Sequence, residues 1–372
     1  MVTGARKKTL LKAGVAAIAT LVGFGATGAS AQDNVVNVYN WSDYIAEDTI
    51  ANFEAETGIK VRYDVFDSNE VLEAKMLAGN SGYDVVVPTS TFLARQIQAG
   101  VFMELDKSKL GNWDNLDDDL LASVAPMDPN NAHGIPYMWG TTGFAYNKKM
   151  IEERMPDAPV DSWAMMMDPD VVSKFADCGV TFLDAPTEVI PAALNYIGAD
   201  PAGQEPEKLE EAVDHMMKIR PSIKYFHSSQ NINDLANGDI CLAMGWSGDM
   251  LQAQARAAEA GQGVDIAYVI PKEGALLWVD MMAIPKDAPN ADNAHTFLNY
   301  IMEPKVAADI SNYVFYANGN AASMEFILPE VKNDTAIYPD RETMKNLYTV
   351  QPWAPRFQRE ATRAWTKLKT GQ

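Results

Sequence analysis

Between residues 35 and 99 short β-rich runs alternate with helical stretches, and this alternation constrains the fold more than any other feature of the chain. Val35, Val36, Val38 and Tyr39 sit in a strand-like run. Asp48 is the expected N-cap of a helix through about Thr57, with Ile50 and Phe53 on one face and Gly58 as its stop. Residues 59–66 alternate like a strand, with Ile59, Val61, Tyr63 and Val65 on one side. Residues 69–78 read as a second helix, 83–87 as a buried strand closed by Pro88, and 92–99 as a third helix. Strand–helix–strand–helix order implies crossover connections and an α/β lobe. In such a sheet ligands bind beyond the carboxyl ends of the strands, which here are residues 40–44 and 88–90.

The chain has 372 residues, enough for two lobes of this size. Near residues 134–140 the pattern becomes aromatic, Gly-punctuated and extended, which reads as a crossing into a second lobe. That lobe is expected to hold helices at 206–220 and 230–237 and strands at 179–183 and 240–244; Pro206 suits a first helical position. The extended run 264–270 and residues 275–284 would recross, followed by helices at 291–301 and 304–313. The expected division is a leader at 1–31, a first lobe at 32–138, a second lobe at 139–270, a return to the first at 271–327, and C-terminal helices at 328–372 packed on the second. Asp117–Asp119 read as a solvated helix start, and Met165–Met167 as core.

Arg6, Lys7 and Lys8, an apolar run over residues 10–24 and the small residues Ala29, Ser30 and Ala31 form the pattern of a cleaved secretory signal. The run is shorter than a membrane span needs. No cysteine precedes Cys178, so a lipid-modified N-terminus is not expected, and the mature chain should begin near Gln32 and be free in a periplasm. Cleavage removes four cations and no acid, taking the formal charge from −20 to −24. Such a surface disfavours nucleic acid and anionic lipid and favours the approach of cations, although many exported proteins are acidic for solubility alone. The two cysteines, Cys178 and Cys241, are too few for a structural zinc site. In an oxidising compartment they suggest one disulfide, with two free thiols as the alternative.

Catalytic signals fail on inspection. The G-x-G-x-x-G match at Gly23–Gly28 lies in the leader and follows no strand. Gly245-Trp246-Ser247-Gly248 has its second Gly one position too early for a nucleophile elbow. The Asp128–Asn131 stretch has Trp139 where a calcium loop needs a bidentate Glu. His133, His215, His227 and His295 form no i,i+4 zinc pair, so no metal or cofactor is expected. What recurs is an aromatic residue beside an acid at predicted strand ends: Trp41, Asp43 and Tyr44; Trp246 and Asp249; Trp278 and Asp280. An organic diamine requires that pairing, π faces along its methylenes and carboxylates at its ammonium groups. Taken singly, each such loop reads as readily as a core edge with a capping acid.

At these residues the sequence resembles the periplasmic polyamine-binding proteins of bacterial ABC transporters, the putrescine-specific members most closely. The matching blocks include VYNWSDYI (residues 38–45), TGIKVRYDVFDSNEVLEAK (57–75), YDVVVP (83–88), PYMWGTTG (136–143), CGVTFLDAPTEV (178–189), YFHSSQNINDLANGDICLAMGWSGD (225–249) and VFYAN (314–318). The resemblance implies a type II periplasmic binding protein fold, two α/β lobes closing on a ligand cleft, with no catalysis. It places Trp41, Ser42, Asp43 and Tyr44 in the cleft wall of the first lobe. Thr89 stands where similar proteins commonly carry Ser. Glu188, in a turn with Pro186 and Thr187, would accept an ammonium group. Trp246 and Asp249 would supply an aromatic wall and the principal anchor, Trp278 (in place of a more usual Phe) and Asp280 a pair near the hinge, and Tyr316 a further face. The bulk added at positions 89 and 278 is expected to favour a short diamine over spermidine. Similar proteins pair cysteines at 178 and 241. The implied partners are putrescine or a related polyamine and an inner-membrane ABC permease, with the receptor monomeric. Spermidine, agmatine or cadaverine remain as other ligands, and an exported carbohydrate-active enzyme or a signalling sensor as other roles.

Overall fold

The computed structural model describes residues 34–371, so the signal sequence and its cleavage point lie outside the described residues. Among the described residues no helix is long and apolar enough to cross a membrane. Among the described residues ten strands form one sheet: β1 (Val35–Trp41), β2 (Lys60–Phe66), β3 (Val85–Val86), β4 (Gly134–Asn147), β5 (Val180–Phe182), β6 (Ile223–Phe226), β7 (Leu242–Trp246), β8 (Ile266–Val269), β9 (Leu276–Ala283) and β10 (Ala317–Asn318). Their main order is β2-β1-β3-β9-β4-β7-β5-β6, with β8 and β10 paired to β4. The helices of eight residues or more are α1 (Thr49–Thr57), α2 (Asn69–Leu77), α3 (Ser90–Gln98), α4 (Pro186–Tyr196), α5 (Pro206–Ile219), α6 (Gln230–Asn237), α7 (Ser247–Ala260), α8 (Ala291–Ile301), α9 (Pro304–Val314) and α10 (Pro355–Thr370).

Each end of the sheet is parallel, as crossover helices require: β1 pairs with β2 and β3 in one lobe, β5 with β6 and β7 in the other. The two ends meet through antiparallel strands. Residues Gly134 to Thr142 of β4 pair with β9 and Thr142 to Tyr146 with β7, so the two pairings overlap at Thr142. The two largest cores follow from this. The first gathers Val36, Val38, Val85, Leu93, Met281, Phe297 and Leu298. The second gathers Val180, Phe182, Val189, Leu209, Val213 and Leu242 around the fully buried Met165, Met166 and Met167.

The chain ends in a third crossing beside β4 and β9. Tyr348 N donates to Ala275 O at 3.0 Å and Leu277 N to Tyr348 O at 2.8 Å, after which Trp353 packs on the second core. The residues beyond Leu328, expected together on the second lobe, divide. Val331 and Ile337 pack with Ala308 and Ala317, next to α9, while Phe357, Trp365 and Leu368 of α10 lie on the second core. Pro186, Thr187 and Glu188, read as a turn, are instead the first turn of α4, which continues through Pro191. Cys178 and Cys241 form a disulfide with Cα atoms 5.5 Å apart, tying the segment before β5 to that before β7.

Candidate functional site

Where the strands of both lobes end, side chains from both lobes line one cavity. Trp41 closes β1, and Ser42 and Tyr44 follow it. Thr89 is the N-cap of α3, just after β3. Trp246 ends β7 and Asp249 lies in the first turn of α7; Glu188 occupies the same position in α4. Trp278 and Asp280 project from β9, and Tyr316 lies between α9 and β10. Helix starts suit carboxylates, because their free N–H groups and dipole favour negative charge.

The three acids are the chemical core of the cavity. Asp280 is 4% exposed; its Oδ2 accepts Tyr44 Oη–H at 2.9 Å and its Oδ1 accepts Thr89 Oγ1–H at 2.6 Å. Glu188 Oε2 accepts Thr142 Oγ1–H at 2.5 Å, and Asp249 Oδ1 accepts Tyr316 Oη–H at 2.7 Å. Burial pushes each of the three carboxyls up to about 7, against the donors that stabilise their anions. Asp280 adds like-charge repulsion to both Glu188 and Asp249. No lysine or arginine is among the residues lining the cavity. Three buried acids facing one space with no lining cation form a site whose complement is a positively charged solute.

Aromatic rings supply the remaining wall. Trp41 meets Trp246 edge-on across the two lobes at 5.4 Å between centroids, and Tyr316 meets Tyr44 at 5.0 Å and Trp278 at 5.6 Å. Trp41 Nε1 donates to Val87 O at 2.9 Å, and Tyr137 Oη to Tyr44 O at 2.6 Å, which fixes two of these walls. The start of α7 is cut to fit: a Cβ on Gly248 would lie 2.4 Å from the Tyr316 ring.

Ten of the eleven residues singled out in the sequence line this cavity, and Asp43 is the exception. Its carboxylate turns to Arg256 of α7, 2.5 Å away. The ladder of acids and rings therefore includes Tyr44 but leaves the acid beside it outside. Two contributors escaped the sequence reading. Asn69 both accepts Thr89 N–H at 3.0 Å and donates Nδ2–H to Thr89 Oγ1 at 2.8 Å, and Thr142 bonds both Glu188 and Trp278. Asn69 reads in sequence as a helix start, and Thr142 as one polar residue of an extended run, so neither carried a local signal.

A two-lobed α/β chain with an acidic, aromatic cavity at converging strand ends is built as a receptor for a small solute. The chain belongs to the bacterial extracellular solute-binding proteins, whose family model matches residues 48–339. It is 54% identical over 355 residues to the putrescine-binding periplasmic protein SpuD of Pseudomonas aeruginosa (strain UCBPP-PA14), covering 95% of this chain and 97% of that protein. It is 52% identical to the putrescine-binding periplasmic protein PotF of Escherichia coli K12, covering 92% and 93%. Among solved structures, the spermidine/putrescine ABC transporter substrate-binding protein PotD from Streptococcus pneumoniae superposes with a TM-score of 0.72 at 30% identity, covering 91% of this chain and 99% of that one.

Proposed function

We propose that this protein is a periplasmic receptor that captures putrescine between its lobes and delivers it to an inner-membrane ABC permease, without catalysing a reaction. The observation that carries this reading is the trio Glu188, Asp249 and Asp280, buried together in a cavity that no lysine or arginine lines. Asp249 anchors one ammonium group and Glu188 accepts the other. Asp280, electrostatically coupled to both, serves the space between them. Trp41, Trp246, Trp278 and Tyr316 cover the methylenes, where each cation–π contact contributes about 0.5–2 kcal/mol. The names of the relatives at 54% and 52% identity support the choice of putrescine over other amines.

The magnitude is consistent. A ligand of about six heavy atoms at roughly 1.5 kcal/mol each reaches about 9 kcal/mol, close to micromolar affinity. Reaching that ceiling requires acids at both ends, because a buried unpaired ammonium costs several kcal/mol. The test is calorimetric titration of putrescine, cadaverine, spermidine and spermine into mature protein that has been unfolded and refolded to strip bound amine. Micromolar or tighter putrescine binding, weakened by Asp249→Ala, is the expected result. Silence towards every amine overturns the reading.

A further inference from the structure

Each of the three buried acids is held by a hydroxyl, and behind each hydroxyl stands an N–H. Trp278 Nε1 donates to Thr142 Oγ1 at 3.1 Å, and that hydroxyl donates to Glu188 Oε2 at 2.5 Å. Asn69 Nδ2 donates to Thr89 Oγ1 at 2.8 Å, and that hydroxyl donates to Asp280 Oδ1 at 2.6 Å. Asp249 N donates to Tyr316 Oη at 3.0 Å, and the phenol donates back to Asp249 Oδ1 at 2.7 Å.

The direction of each relay starts from its N–H. An indole or backbone N–H can only donate. The Asn69 amide is fixed too, since its Oδ1 accepts Thr89 N–H at 3.0 Å and leaves Nδ2 facing the hydroxyl. A hydroxyl carries one hydrogen and two lone pairs; with an N–H on one lone pair, giving its hydrogen to the adjacent carboxylate satisfies both groups. One oxygen of Glu188 and one of Asp249 thereby accept a hydroxyl hydrogen, as do both oxygens of Asp280, which favours the anions.

We propose that Thr142 is a positioning residue of this site, its hydroxyl held by Trp278 to donate to Glu188, which favours the Glu188 anion and aims it at the solute as an acceptor. Asn69, acting through Thr89, does the same for Asp280. The inference rests on the reading of the cavity as a diamine site. It extends that reading to selectivity: a solute end that meets Glu188 or Asp280 must bring hydrogen-bond donors. Thr142 is also the residue of β4 that pairs with both β9 and β7, so the relay joins β9, β4 and α4 at the junction of the lobes.

The groups that face Glu188 define what a pH profile will read. Asp280 and Glu70 oppose its ionisation, Thr142 and Trp246 hydrogen-bond the anion, and the phenols of Tyr268 and Tyr348 lie within its electrostatic reach. Arg95, paired with Glu73, lines the adjoining cavity together with Glu188 and Thr89.

The experiment compares wild type, Thr142→Val, Thr142→Ser and Trp278→Phe. Putrescine affinity is measured from pH 6 to 8.5, and the Glu188 carboxyl is titrated by 13C NMR in protein free of amine. Thr142→Val is expected to weaken putrescine at least tenfold at pH 6.5 and much less at pH 8.5, with Glu188 titrating at higher pH than in wild type. Thr142→Ser should restore both quantities. Trp278→Phe, which frees the hydroxyl to turn round, should move Glu188 the same way by a smaller amount. A Thr142→Val protein with the wild-type Glu188 midpoint overturns the relay. So does a loss of affinity that is equal at every pH and not rescued by Ser, which is the mark of packing alone. If wild type ignores every amine, the diamine reading fails, and the NMR midpoints still decide the relay.

Discussion

The Arg256 guanidinium meets the Asp43 carboxylate at 2.5 Å, pinning helix α7 of one lobe to the loop after β1 of the other. Gln252, one turn earlier on α7, donates Nε2–H to Asp43 O and Val314 O at 3.2 Å each. Both charged side chains are 35% exposed, and an ion pair so placed contributes about 0.2–1 kcal/mol. Arg256→Ala should therefore speed putrescine release by roughly 1.5- to 5-fold, and the difference should shrink in high salt. Stopped-flow tryptophan fluorescence reads this directly. A loss of affinity of a hundredfold would instead make Asp43 a ligand contact.

The acids of the cavity set a pH dependence whose sign is fixed. Burial holds Glu188, Asp249 and Asp280 at about 7, whereas unfolded carboxyls titrate near 4. Between those values the folded, amine-free protein binds more protons than the unfolded chain, so the stability these groups contribute falls as pH rises through the window. Putrescine reverses this, because it needs the anions. The rise in Tm on adding putrescine should grow from pH 5.5 to 8. Calorimetry in buffers of different ionisation enthalpy should show proton release on binding near pH 6.5. A putrescine-induced shift independent of pH would mean that the acids are already ionised.

Trp278 tests the origin of ligand length selection. Its indole closes the cavity beside Tyr316, and replacement by Phe removes one ring. At pH 8.5, where protonation of Glu188 no longer intervenes, Trp278→Phe should tighten spermidine relative to putrescine by several-fold. An unchanged affinity ratio would show that the added bulk merely repacks.

The Cys178–Cys241 bridge spans 63 residues, and the chain-entropy model assigns such a loop about 4 kcal/mol. Reduction, or a Cys178→Ala/Cys241→Ala double substitution, should lower Tm markedly. Putrescine affinity measured below the transition should change by less than a factor of about three, which is under 1 kcal/mol, because neither cysteine lines the cavity.

Much of this arrangement was legible before the structure, and the failures share a cause. Helices α6 and α8 have the bounds that their apolar spacing and flanking residues indicate. Residues 59–66 alternate as a strand, yet Val65 is 53% exposed, because β2 is the sheet's edge and only β1 covers it. α4 was hidden by Pro191 in its interior, where burial of Val189, Ile190, Ala192 and Ala193 outweighs the lost hydrogen bond. α7 was obscured by the glycines that precede and begin it. The acids and rings of the site were legible as pairs in short loops. Thr142 and Asn69 were not, since each acts on a residue between 20 and 136 positions away, a separation over which local pattern carries no information.

Gly248 has no side chain to offer the cavity, yet the Tyr316 ring rests where its Cβ would be. That ring carries the hydroxyl that holds Asp249. An engineer who redraws ligand preference by exchanging lining side chains inherits this constraint unseen. A methyl group at position 248 would shift the phenol, and the anchoring acid would lose its partner although every lining residue had been kept. Retargeting the receptor is therefore a problem of backbone clearance as much as of recognition chemistry, and the clearance belongs to a residue that no inventory of contacts would include.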